Sequence, residues 1–221
     1  MRTYTRLAFA ALVATAAMAV LVGSASAGRL STSNQQFRVT YRSLEFIGSV
    51  TVRCAVTLEG SFHTRTITKS LGSLIGNITR VAVKRPCAGG EGFAFNGVER
   101  LGEGAALANT LPWNVRYEGF GGTLPNITSL RLALSGARFR IRDPFFGILC
   151  IATTGARGLA FGTATRNTAT GVVDNLAPSG TIRFDAESSG FCGTEGNFGA
   201  PAGEGVITLL NSTAKLTVTL I

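Results

Sequence analysis

Residues 51–62, TVRCAVTLEGSF, alternate apolar and polar with almost no interruption. Val52, Cys54, Val56 and Leu58 fall on one side of an extended chain, and Thr51, Arg53, Ala55, Thr57 and Glu59 on the other. Successive side chains of a strand point to opposite faces, so this spacing predicts a strand with one buried face. The same period recurs in QFRVTYRS (36–43), RTITK (65–69), GNITRVAVKR (76–85), GFAFNG (92–97), WNVRYEGF (113–120), SLRLALSGARFRIR (129–142), FGILCIATT (146–154), TATGVV (168–173), GTIRFDAE (180–187), GVITLL (205–210) and AKLTVTLI (214–221). Gly, Pro, Asn and Ser separate the runs, and no stretch after residue 27 carries a helical pattern. The fold class expected is therefore all-β: an antiparallel β-sandwich with two disulfides, with a β-barrel as the alternative.

Phase changes mark irregularities. Ile78 is out of step with Val81 and Val83, which predicts a bulge near Thr79. Leu130, Leu132 and Leu134 are even-numbered and Phe139 and Ile141 odd, so a corner at Ser135–Gly136 is expected. Asn211–Thr213 reads as a short hairpin connection between the last two strands.

The chain opens with a different texture. Arg2 and Arg6 precede an apolar run, Leu7–Val22, interrupted only by Thr15, and Ala25-Ser26-Ala27 then offers small residues. This is the layout of a secretory signal peptide cut after Ala27. The mature chain would run from Gly28 to Ile221 as one all-β domain, with no transmembrane helix, secreted or associated with the cell envelope. The texture is similar to that of Gly- and Thr-rich exported β proteins of high-GC bacteria. No diagnostic motif names a family.

An exported chain makes its cysteines informative. Four remain after the leader: Cys54, Cys87, Cys150 and Cys192. An even number outside the cytoplasm favours disulfides, and the wide spacing lacks the close cysteine pairs of a zinc site. Two stretches guide the pairing, GNITRVAVKRPCAGGEGFAF (76–95) and GTIRFDAESSGFCGTEGNF (180–198). Each runs from Gly through Ile into a cysteine, then Glu-Gly, then Phe, and each follows a strand with an earlier cysteine. Two related units meeting near 119–128 would give Cys54–Cys87 and Cys150–Cys192.

Chemistry is sparse. The single histidine, His63, sits in a turn sequence, and neither a nucleophile elbow nor a metal-ligand spacing occurs. No catalytic residue, cofactor or metal is expected. Glu91 and Glu195, in the two similar Glu-Gly turns, form the only patterned carboxylate pair. Losing Arg2 and Arg6 from 21 basic residues leaves 19 against 12 acidic ones, a formal charge of +7. Arg138, Arg140 and Arg142 share one strand face, a candidate anion-binding ladder for cell-envelope polymers; without aromatic interleaving, no nucleic-acid partner is expected. Trp113, the only tryptophan, is a candidate ligand-facing residue.

The functional expectation is an exported protein with a binding or structural role outside the cytoplasm. The alternative is an extracellular hydrolase of envelope or environmental polymers, with Glu91, Glu195 or His63 lining one pocket. A third reading is an outer-membrane-type barrel, apolar outside and polar within.

Overall fold

The computed structural model describes residues 29–48, 51–88, 91–93, 110–142, 148–155, 160–186, 188–201 and 203–221. The expected leader and the later part of GFAFNG lie outside them. The described residues form fifteen strands in one antiparallel sheet: β1 (Arg29–Thr32), β2 (Gln36–Ile47), β3 (Thr51–Phe62), β4 (Thr66–Thr68), β5 (Leu74–Ala88), β6 (Glu91–Phe93), β7 (Trp113–Thr123), β8 (Asn126–Ser135), β9 (Arg138–Arg142), β10 (Leu149–Thr153), β11 (Ala160–Arg166), β12 (Val172–Phe184), β13 (Glu195–Gly199), β14 (Gly205–Leu209) and β15 (Leu216–Leu220). A 3₁₀ turn, Gly190–Cys192, precedes β13. The all-β, disulfide-linked, sandwich-like fold stands as read from the alternation.

The alternation is visible in the burial. Along β3, Val52, Cys54, Val56 and Leu58 are buried in the core. Phe37, Val39 and Tyr41 of β2 face the same interior. The out-of-step residues behave as their phase required. Glu59 pairs with Arg80 and Gly60 with Ile78, so Thr79 is the extra residue of a bulge. β8 ends at Ser135, Gly136 turns at φ +79°, and Phe139 then points inward on β9. Only glycine adopts that φ without strain.

The hydrogen-bonded path returns on itself. β2 pairs β3, β3 pairs β5, β5 pairs β7, β7 pairs β8, β8 pairs β11 and β11 pairs β12. From β12, short strands β13 and β14 lead back to β2. Two walls thus face one another across one core with their edges joined. Phe46 of one wall meets Phe139 of the other at 4.8 Å between ring centroids.

The wiring repeats. β2 runs against β3, β3 against β5, and β5 against β7. In the second half β8 and β9, separated by the Gly136 corner, run against β11 and β10; those run against β12, and β12 against β14. Each half also lends a short strand to the other: β6 pairs β9, and β13 pairs β2. The similar stretches 76–95 and 180–198 fall at matching places, β5–β6 and β12–β13, although their registers differ. The turn at Leu124–Pro125 separates the halves.

Two sequence expectations change. The alternation predicts TATGVV and GTIRFDAE as separate strands, yet Val172–Phe184 is continuous. Pro178 sits opposite Gly162 of β11, and on the other edge it falls between the β14 pairing at Asn175 and the β13 pairing that starts at Ser179. The turn at Asn211–Thr213 forms, with Asn211 at φ +60° and one bond from Leu209 N–H to Ala214 O of 2.8 Å. The strands then part: β14 joins β2 and β12, while β15 pairs β1 and touches β12 at Val172–Val173. Leu216 and Val218 gain burial in that new position.

Candidate functional site

The two ends of the body are built differently. At one, Cys54–Cys87 ties β3 to β5, and Cys150–Cys192 ties β10 to the turn after β12. All four cysteines are used. Aromatic rings fill the space nearby: Phe198 lies 5.6 Å from Phe46, and Trp113 meets Phe139 edge-on at 5.0 Å. At the other end β1, β4 and β15 form a small three-stranded cap, β4 and β15 flanking β1. Leu30, Ile67, Leu216 and Val218 of this cap point into the body and are buried.

Arginines bind the cap down through backbone carbonyls. Arg166, at the end of β11, donates to Val218 O (2.7 Å) on β15 and to Ile127 O (2.8 Å) on β8. Arg65 donates to Thr32 O (3.2 Å) and Ser33 O at the end of β1. A guanidinium presents several donors in a fixed fork, so one side chain can join two elements.

Beneath the cap lies a hollow of about 40 Å³ walled by apolar side chains. A second, of about 70 Å³, adjoins it and shares Phe37, Val39, Leu132 and Leu176. Residue size explains the space. Beside the large side chains of β8, β11 contributes the small residues Ala160, Gly162 and Ala164 to these walls, together with Phe161 in the second. At Gly205 the backbone comes so close that an added Cβ would lie 2.1 Å from Leu176 O and 2.6 Å from the Tyr41 ring. Tyr41, in the second hollow, has its phenol pushed well above the ordinary tyrosine range by burial.

Tyr117 lines the first hollow with its apolar ring, and the surface of that hollow is wholly apolar. The residue is 2 % exposed, and its hydroxyl has no hydrogen-bond partner among the described residues. Burial raises its phenol pKa. Its main chain is fixed by the 72–73 turn: its N–H donates to Ser73 O (3.0 Å), and its carbonyl accepts from Gly72 N–H (2.7 Å). A bulge follows at once, since Tyr117 pairs Leu132 while Gly119 pairs Arg131, leaving Glu118 extra. Bulges commonly re-aim side chains beside functional sites. The sequence signal was a tyrosine in phase with Trp113 and Val115; the missing partner was not readable.

The residues singled out from sequence are dispersed. Trp113 is fully buried, and its indole N–H donates to Thr110 Oγ1 (3.2 Å). Arg138 forms an ion pair with Asp185. Arg140 follows two residues on in β9, pairing Ile151 and Phe93 in register; the side chain of Arg142 lies outside what is described. His63 is exposed just beyond β3, where β2 begins. Glu195 is exposed beside the other end of β2 and pairs with Arg183 at 3.4 Å. A strand as long as β2 separates them by roughly 35 Å. The side chain of Glu91 lies outside what is described.

Charged pairs sit on the outer surface. Glu59 is held between Arg38 (2.8 Å) and Arg80 (3.0 Å), and Glu45 meets Arg53 at 2.6 Å. Among the described residues no group of His, Cys, Asp and Glu could hold a metal ion, and no helix is long and apolar enough to cross a membrane. Comparison with protein-family models, curated proteins and solved structures finds no match. The site must therefore be judged on its own chemistry: a covered hollow with a wholly apolar surface.

Proposed function

We propose that the chain is an exported protein that works outside the cytoplasm by binding a small apolar molecule under its cap. The observation that carries this reading is the apolar hollow itself, covered by β1, β4 and β15. Natural interiors pack to near crystal density, and space lined only by apolar atoms stays dry and can receive an apolar guest. Two disulfides and a basic, signal-like start support an oxidising destination. The charge excess supports weak, salt-sensitive attraction to anionic envelope polymers as a secondary property.

The test has two parts. Secreted material should begin at Gly28 and carry both bridges. Native mass spectrometry of that material, before and after organic extraction, should show a small apolar adduct, and the extracted protein should take up toluene. A cytoplasmic protein with an intact leader refutes the export half. An extracted protein that never binds toluene refutes the binding half.

A further inference from the structure

We propose that the cap end of the molecule docks on an anionic lipid bilayer, with Leu71 and Phe120 dipping between the headgroups and the surrounding cations meeting the phosphates. This goes beyond the hollow and holds whether or not a guest occupies it.

The exposed apolar side chains are unevenly placed. Of the seven large ones exposed among the described residues, four are Leu71, Leu74, Phe120 and Leu124. Leu71 lies in the turn between β4 and β5, and Leu74 opens β5. Phe120 and Leu124 belong to the end of the β7–β8 hairpin. The two segments touch. Gly72 N–H donates to Tyr117 O (2.7 Å), Arg116 donates to Gly72 O (2.8 Å), and Lys69 Nζ lies 5.5 Å from the centre of the Phe120 ring. Leu71 is 76 % exposed, more than its apolar body would be on a surface meant only for water. Phe120 stands between Gly119 and Gly121, so no adjoining side chain on its own strand shades it. It pairs in register with Leu130, a wall residue of the first hollow, so the docked end is the end nearest that hollow.

The charge around these residues is mostly of one sign. Segments 65–74 and 116–131 carry Arg65, Lys69, Arg116 and Arg131 against Glu118 alone. Arg29 of β1 lies beside Thr68 in register and is exposed. Arg65 and Arg116 are fixed by backbone carbonyls, which hold the guanidinium without neutralising it.

This pattern favours a bilayer over a folded partner. Apolar side chains on separate turns, spaced by glycine and cations, offer no flat packed face, but they suit the boundary between headgroups and acyl chains. Anionic lipid attracts each cation near its surface, and a long basic side chain can keep its charge at the phosphates while its stem lies along apolar neighbours. Lys69 over Phe120 already has that arrangement.

The test is sedimentation of the secreted, disulfide-intact protein with vesicles of phosphatidylglycerol and phosphatidylcholine in equal parts, and with phosphatidylcholine alone. The protein should sediment with the mixed vesicles, several-fold less with the neutral ones, and less as salt rises. Leu71→Ser combined with Phe120→Ser should weaken binding about tenfold, and Lys69→Gln about fivefold. All three positions are at the surface, and matching melting curves will show that the variants fold. Phe191→Ser, which removes an equally exposed ring at the disulfide end, should bind as the parent does. Unchanged binding by the double variant, or an equal loss in Phe191→Ser, overturns the assignment of the surface. Equal binding to neutral vesicles overturns the role of the cations. No sedimentation with either vesicle overturns the proposal, as does a dimer in gel filtration that Leu71→Ser dissociates, since the patch then belongs to a second copy.

Discussion

At the scale of single residues, the polar groups near the core divide into satisfied and unsatisfied. Glu59 is satisfied. Burial alone would raise its carboxyl pKa, but hydrogen bonds from Arg80 and Arg38, with their charges, outweigh that and hold it below the usual range. A carboxyl depressed on folding contributes stability above its unfolded pKa and loses it as pH falls through the folded value. Glu59→Gln should therefore cost about 2 kcal/mol at pH 7. The gap to the parent should close below about pH 4, as urea midpoints measured across that range will show. Tyr117 is the opposite case. Tyr117→Phe should stabilise the ligand-free protein by about 1 kcal/mol in the same assay, because the unpaired hydroxyl disappears with little change in shape. The two bridges were legible from sequence because four widely spaced cysteines in even number, behind a signal-like start, favour disulfides. The hollow was not. It depends on small residues of β11 lying beside large ones of β8, a relation that exists only once strands distant in sequence pair.

At the scale of elements, legibility followed side-chain size. The Thr79 bulge and the Gly136 corner could be read because bulky residues on both sides changed phase. β11, AFGTATR, escaped because its inward residues are alanines and glycine, too small to mark a face. β1 and β13 escaped because each carries a single bulky apolar residue, Leu30 and Phe198, too few to show an alternation. The cap shows how little holds some elements. Arg166→Ala removes donors to both Val218 O and Ile127 O and should cost roughly 2 kcal/mol. Hydrogen exchange should quicken first at β15 amides; Arg166→Lys should not restore them, since an ammonium lacks the forked reach. Deleting residues 216–221 removes the buried side chains of Leu216 and Val218, about 2 kcal/mol each, and leaves β1 with β4 alone. Circular dichroism should then show a melting midpoint lowered by several degrees.

At the scale of the whole molecule, the two bridges close spans of 33 and 42 residues, each stabilising by about 4 kcal/mol in the chain-entropy account. Replacing either pair with alanines should show that loss in urea unfolding yet leave toluene binding intact, because both bridges lie at the far end from the hollow. The exchange of β6 and β13 makes a further prediction. Leu124 is 46 % exposed in the turn between the halves, and each half supplies a strand to the other. A chain cut between Leu124 and Pro125 should keep its fold by gel filtration, whereas either fragment alone should not fold. The unequal ends have one more consequence. Sulfur links fix one pole of the molecule, while the opposite pole is shut by a clasp of guanidinium and carbonyl groups. Gentle warming should part that clasp first, so a guest escapes, and a protease gains its foothold, while the far pole still keeps its shape.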